Sequence, residues 1–305
     1  MIFITGASGC VGSYLVEYLV TQTNEQISLL VRTPENLKQA YYKASQVTLL
    51  SGDLEHIEDV RKHVQAASHI IHIATSWGGP SAYSANLKAT ERLFAMSHSK
   101  QSIFYFSTAS LLKQNHQFET QTLFKGSDYI RSKASAYLVT QSKPPPAQLI
   151  YFFPTVILGG DSEHKETPFQ ASFSHWPHWL KILKFISIKG YFQWIHAADI
   201  AQVLAFYLKT PPSASHIVLG QAPEYVPKLL KQINQTIGKA PPFQIPIDSS
   251  TERLMGLLSP WMGPWDRFSF KQRFMQHKAI TPEHLGLISK HPQFCDYFLN
   301  HIQTV

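Results

Sequence analysis

The chain opens Met-Ile-Phe-Ile-Thr-Gly-Ala-Ser-Gly-Cys-Val-Gly, an apolar run that passes directly into a turn punctuated by Gly6, Gly9 and Gly12. The run Ile2 to Ile4 suits a buried central strand of a parallel sheet. From Val11 to Val20, Leu15, Val16 and Leu19 share one helical face. In such a strand–turn–helix, Gly6 permits the tight turn, Gly9 lets backbone amides approach a pyrophosphate, and Gly12 lets the helix pack close to the strand. The anion then sits on the positive helix N-terminus. Three glycines can also serve packing alone. The strand before and the helix after favour a dinucleotide site, in which Ser8, Cys10 and Val11 accompany the glycines.

At 305 residues the chain exceeds the usual size of a single core, so one large nucleotide-binding domain carrying a smaller lobe is expected. A hydrophobic content of 44% supplies an ample core, and a charged content of only 15% argues against long disordered tails. Cys10 and Cys295 form neither a disulfide framework nor a metal-ligand spacing, which points to a reducing compartment, the cytoplasm. No metal site is expected. With a strand beginning at residue 2 and no apolar run of about 18 residues, neither a signal peptide nor a membrane span is expected. The formal charge of +7 suits phosphate-bearing ligands, but the basic residues are scattered singly and give no nucleic-acid motif.

Strand-like segments recur at Ile27 to Val31, Val47 to Leu50, His69 to Ile73, Ile103 to Ser107, Gln148 to Phe153 and His216 to Leu219, with helix-like stretches between most of them. This alternation predicts an α/β fold, a doubly wound parallel sheet of the Rossmann kind with ligands at the carboxyl ends of its strands. Residues 1–158 and 196–220 are read as the dinucleotide-binding domain. Residues 159–195 and 221–305 are read as a smaller, mostly helical substrate lobe. Phe169, Phe173, Trp176, Trp179, Leu180, Phe185, Ile186, Phe192 and Trp194 could line an apolar pocket there, although for most of them a place in the lobe's own core is the better expectation.

Two further features carry chemistry. The second strand ends in Arg32, with no acid to take the ribose hydroxyls of NAD. A guanidinium can hold a 2′-phosphate bidentately, so NADP is favoured over NAD, against the plainer reading of an exposed arginine. In Tyr129-Ile130-Arg131-Ser132-Lys133 the first and last residues share a helical face, and an ammonium beside a phenol is expected to favour its ionised form.

Together, the Gly-x-x-Gly-x-x-Gly turn behind Thr5 and the Tyr-x-x-x-Lys pair resemble the extended, or atypical, short-chain dehydrogenase/reductase family of NAD(P)-dependent epimerases, dehydratases and reductases, over about residues 1 to 220. The resemblance implies a catalytic set of Thr108, Tyr129 and Lys133. Thr108 donates to the substrate oxygen, Tyr129 supplies or removes the proton, and Lys133 also holds the nicotinamide ribose. It further implies cofactor contacts from Asp53 and Leu54 at the adenine, from Ala74 and Thr75 beneath the nicotinamide ribose, and from Pro154. Asn86 and Ser110 are implied as substrate contacts. Asp53 read without the family is a surface turn residue.

Two departures stand out: Phe153 replaces the family's arginine, and no Tyr-Gly pair follows the Ser107-Thr108 strand. His196 is expected to be a polar anchor between the lobes. Pro154 stands where sugar-nucleotide enzymes of the family commonly have Asn, and proline there is common in its carbonyl reductases, such as the dihydroflavonol-reductase-like group. The implied function is therefore an NADP-dependent oxidoreductase acting on the carbonyl/alcohol of a largely apolar small molecule. A sugar-nucleotide epimerase or dehydratase is the alternative, and a non-catalytic nucleotide-sensing or assembly protein is a second, against which Tyr129 and Lys133 count. The sequence admits a homodimer without requiring one.

Overall fold

A computed structural model of the chain describes residues 1–171, 185–236, 245–247 and 263–303. Seven parallel strands form the central sheet: β1 (Ile2–Thr5), β2 (Ile27–Val31), β3 (Val47–Ser51), β4 (His69–His72), β5 (Ser102–Phe106), β6 (Gln148–Pro154) and a last strand, His216–Leu219. The last strand lies at one edge, followed across the sheet by β6, β5, β4, β1, β2 and β3, so the chain runs outward from β1 to β3 and then returns to the other side. The point of reversal lies between β1 and β4, and a doubly wound sheet opens its ligand crevice there.

Alternation along each strand sends side chains to opposite faces. Ile2 and Ile4 of β1, Phe104 and Phe106 of β5, and Ile150 and Phe152 of β6 join one core layer. That layer packs under α1 (Cys10–Gln22) and the Ala197–Lys209 helix. Phe3, Ile103, Tyr105, Tyr151 and Phe153 join the other, which contains residues of α2 (Arg61–Ala66), α3 (Ala89–Ala95) and the Asp128–Ser142 helix. The first strand is wholly buried, as a central parallel strand covered on both faces must be.

The second core packs Leu158 and Trp194 against Leu229, Ile233, Phe294, Tyr297 and Phe298, with Phe169 and Phe192 at its margin. Trp194, Phe192 and Phe169 therefore serve as core here, and Phe185 lies just beyond a stretch outside the described residues. Phe173, Trp176, Trp179 and Leu180 fall within that stretch, and Ile186 is described only through its short strand, Ile186–Ile188. Phe153, where the family has arginine, is wholly buried and stacks on His216 with ring centroids 5.7 Å apart, so an aromatic cluster fills the space a charge would need. His196 is a buried helix N-cap: its Nδ1 accepts from the Ala198 amide at 3.1 Å, and its ring lies 4.0 Å from that of His291.

Among the described residues no helix is long and apolar enough to cross a membrane.

Candidate active site

The glycine turn lies at the point of chain reversal, and each of its glycines has a separate reason. Gly6 has φ +80°, and a Cβ on it would come within 2.5 Å of the Ala74 backbone nitrogen beyond β4. A Cβ on Gly12 would lie 2.7 Å from the Ala7 Cα, so only glycine lets α1 pack this close. Gly9 is different: its added Cβ would meet nothing nearer than the Gly6 carbonyl oxygen, at 3.3 Å. Gly9 is the N-cap of α1, no side chain caps that end, and the first turn has no acid. The first-turn N–H groups thus stand at a helix start where no side chain satisfies them. A cradle of this form fits a dinucleotide pyrophosphate. Ser8 is exposed at its rim, while Cys10 and Val11 turn their side chains inward. Burial, with Asp161 and then Glu166 adding to it, pushes the Cys10 thiol up to about 12, so it stays protonated.

The other expected cofactor residues line the same edge of the sheet. Arg32 directly follows β2, is exposed, and makes no ion pair among the described residues. Asp53 is half-buried and its Oδ1 accepts from the Glu55 amide at 2.8 Å, which starts the short helical segment Leu54–Val60. One of its oxygens therefore has the turn role. Ala74 and Thr75 follow β4 and are half-buried.

The Asp128–Ser142 helix starts at Ser127, whose hydroxyl accepts from the Ile130 amide, with Asp128 in the first turn adding favourable charge. The helix carries Tyr129 and Lys133 toward the end of β5. There Thr108 is buried and favours ionisation of the neighbouring Tyr129 phenol, and its own oxygen accepts from the Ser110 amide at 3.3 Å. Lys133 is 1% exposed and donates to the Phe106 carbonyl at 2.8 Å, its Nζ lying 5.0 Å from the Tyr105 ring centre. Ser110, bonded through its amide to Thr108, is half-buried, Ser107 is buried, and Pro154 ends β6 as a buried residue.

One expectation is corrected. The phenol of Tyr129 is raised above the ordinary tyrosine range by burial, and the Thr108 contact offsets only part of the rise. Burial pushes the Lys133 amine down to about 7. The spacing places both groups on one face, but desolvation, which disfavours the charged form of each, is the largest cause at both.

A second correction concerns Asn86. Its side chain is 0% exposed and makes four hydrogen bonds. Oδ1 accepts from the Thr75 hydroxyl at 2.9 Å and the Ser76 amide at 2.8 Å, while Nδ2 donates to the Ser76 carbonyl at 2.8 Å and to Ser132 Oγ at 3.0 Å. The amide is a bracket between the segment after β4 and the Tyr129 helix, and it does not face a substrate. It sits in a π-helical turn, Ser84–Lys88, a form that recurs at functional sites.

Two residues escaped the sequence reading. His72, wholly buried at the end of β4, joins Thr5 Oγ1 at 2.6 Å to Thr90 Oγ1 at 2.9 Å, and burial, with Lys133 adding to it, pushes its imidazole down to about 3. The Thr90 hydroxyl donates to the Asn86 carbonyl at 3.0 Å, so this neutral ring ties the glycine-turn strand to the Asn86 turn. Trp77 stacks on Tyr129 with centroids 4.8 Å apart and planes at 30°. The only signal for it is a tryptophan beside Gly78 and Gly79, a segment too irregular for periodicity to place.

The family model described as the NAD dependent epimerase/dehydratase family matches residues 2–220. The chain belongs to the NAD-dependent epimerase/dehydratase family. No curated protein matches this family member. Among solved structures it is similar to gox2253, with 19% identity over 99% of this chain and 97% of that one and a TM-score of 0.73. It also resembles a nucleoside-diphosphate-sugar epimerase from Staphylococcus aureus, with 15% identity, 98% and 99% coverage and a TM-score of 0.66. A third match is dTDP-glucose 4,6-dehydratase from Bacillus anthracis in complex with NAD, with 14% identity, 99% and 96% coverage and a TM-score of 0.63. At these identities the likeness is one of fold. That fold is the extended short-chain dehydrogenase/reductase architecture of the epimerase/dehydratase family.

Proposed function

We propose that this protein is an NADP-dependent oxidoreductase that moves a hydride between the nicotinamide and the carbonyl/alcohol of a largely apolar small molecule. The observation that carries the reading is the convergence of Thr108, Tyr129 and Lys133 at the end of β5. When bound, the nicotinamide dinucleotide supplies or accepts the hydride. The chain's own groups do the rest. The uncapped start of α1 and the space at Gly9 receive the pyrophosphate, and Arg32 takes the 2′-phosphate. Asp53 with Leu54 meets the adenine, and Ala74, Thr75 and Pro154 border the nicotinamide side. Thr108 steadies the substrate oxygen as charge develops on it. Tyr129, whose raised phenol holds its proton at neutral pH, is poised to donate that proton in the reducing direction. Lys133 holds the ribose, and Ser110 stands at the substrate side.

The same reading takes residues 1–158 with 196–220 as the nucleotide-binding domain and 159–195 with 221–305 as the substrate lobe. Arg32 and Pro154 support the cofactor and the substrate class respectively.

The test is Tyr129→Phe, which keeps the ring but removes the proton. NADPH binding should persist while reduction of the best carbonyl substrate falls about 10²–10⁴-fold, the usual share of general acid–base catalysis. Retention of most activity would overturn the assignment. The second reading, a sugar-nucleotide epimerase or dehydratase, is favoured by the epimerase and dehydratase among the similar structures. It predicts conversion of a nucleotide sugar with no net consumption of NADPH.

A further inference from the structure

Trp77 is 59% exposed although its indole stacks on the ring of Tyr129. One aromatic face therefore rests on the proposed proton donor, and much of the remaining surface is open. The segment that carries it is pinned at its base. The Asn86 amide holds both the amide and the carbonyl of Ser76, and the Ser76 hydroxyl donates to the Gly78 carbonyl at 3.2 Å. Beyond it, Gly78 and Gly79 have φ of +154° and +76°, with nothing within 4 Å of a Cβ on either. These conformations suit glycine, and the space over the turn is open. From Ile73 to Ser81 there is no charged residue. A rigidly based, uncharged turn thus presents a large aromatic surface beside the phenol.

We propose that Trp77 is the specificity-determining wall of the substrate site, packing against a flat, unsaturated group borne next to the reacting carbonyl, so that the substrate class is an aryl or conjugated aldehyde or ketone. This rests on the reading of Tyr129 as proton donor. In the reaction the carbonyl carbon gains a hydride from the reduced dinucleotide, which leaves oxidised. The carbonyl oxygen gains the Tyr129 proton, which solvent replaces, and the product is the alcohol. The flat group next to the carbonyl has to lie beside the Tyr129 ring when its oxygen reaches the hydroxyl, and Trp77 extends the aromatic surface on that side. A π face against a π face is favoured beyond the burial of its area, and an uncharged turn gives a diphosphate nothing to pair with.

The experiment compares benzaldehyde with cyclohexanecarboxaldehyde, which differ chiefly in flatness and π density, using the whole protein saturated with NADP⁺ so that no hydride can transfer. Calorimetry should show benzaldehyde binding about tenfold more tightly than the saturated aldehyde. Trp77→Ala should abolish the difference, Trp77→Phe should retain most of it, and NADP⁺ affinity should change less than about twofold in either. Equal binding of the two aldehydes to the unaltered protein, or a preference untouched by Trp77→Ala, would overturn the proposal. With NADPH in place of NADP⁺, turnover then tests the underlying reading separately. Trp77-dependent binding without reduction would refute the oxidoreductase assignment and leave the aromatic wall standing.

Discussion

Asn86 Nδ2 donates to Ser132 Oγ at 3.0 Å, and Ser132, which donates in turn to the Tyr129 carbonyl at 2.9 Å, lies immediately before Lys133. One buried amide thereby joins the turn that bears Trp77 to the helix that bears Tyr129 and Lys133. The Trp77–Tyr129 stack follows from this bracket, because both rings project from segments that Asn86 holds.

Removing the bracket should therefore act on stability and site together. Asn86→Ala takes a partner from the half-buried Ser76 amide and carbonyl and Thr75 hydroxyl, and from the buried Ser132 Oγ, which keeps its bond to the Tyr129 carbonyl. Each unmet buried group costs about 1–3 kcal/mol. Urea denaturation should show a loss of at least that size, and tryptophan emission in the folded state should change as the Trp77 turn shifts. An unaltered unfolding midpoint would show that the bracket does not hold the two segments together.

Glycine substitutions should separate ligand space from packing space. The Cβ of Gly9→Val meets only the Gly6 carbonyl oxygen, at 3.3 Å. The protein should stay folded by circular dichroism and lose dinucleotide affinity in a nucleotide-fluorescence titration. Gly12→Val drives a side chain into the Ala7 backbone and should yield unfolded or insoluble protein. Full affinity in Gly9→Val would remove the cradle.

Arg32 should discriminate between the two dinucleotides. A charge-assisted bond to phosphate is worth roughly 1.5–3 kcal/mol, so Arg32→Ala should weaken NADPH about 10- to 100-fold while leaving NADH nearly unchanged. Equal losses for both would show that the guanidinium does not read the 2′-phosphate.

The buried amine of Lys133 should be a burden on the fold. Its pKa is about 7 when folded, against the 10.5 of a lysine in water, so the unfolded chain binds more protons between these values and its contribution to stability rises with pH across that window. Lys133→Met should accordingly gain in melting temperature over the unaltered protein most clearly below pH 7, the gain fading toward pH 10.5, while cofactor affinity and turnover fall. A melting temperature lowered at every pH would show that the Phe106 hydrogen bond outweighs desolvation.

His72 should add acid sensitivity. Its folded value of about 3 against 6.5 makes stability fall as pH drops from 6.5 toward 3, at a limiting slope of about 1.4 kcal/mol per pH unit for one proton. His72→Gln should flatten the pH dependence of the denaturation midpoint over that range. An unchanged slope would assign the acid sensitivity to other groups, carboxylates included.

Much of the scaffold was legible in the residues. The expected strands agree with the observed ones to within a residue or two: β4 ends at His72 where a strand to Ile73 is expected, and β5 runs Ser102–Phe106 where Ile103 to Ser107 is expected. Periodicity reports which residues face a core, and strands covered on both faces leave an unbroken apolar run. The pairing of Tyr129 with Lys133 was equally legible, because four residues make a helical turn. The ionisation of that pair was not, since the depth to which a side chain is buried depends on elements distant in sequence: β5 and its Phe106 carbonyl decide where the ammonium points. Trp77 was hidden for the same reason, its partner lying far along the chain from an irregular turn.

By itself the sequence determined the parallel α/β sheet, the glycine turn at its centre and the helical spacing of the candidate acid and amine, all of which follow from local periodicity and from backbone sterics that act within a few residues. Only the tertiary structure decided that Asn86 is a buried bracket, that burial raises the Tyr129 phenol, and that Trp77 stacks on it. Solvation and hydrogen-bond partnership are properties of the packed whole, determined by which distant segments exclude water from a group and which offer it a donor or an acceptor.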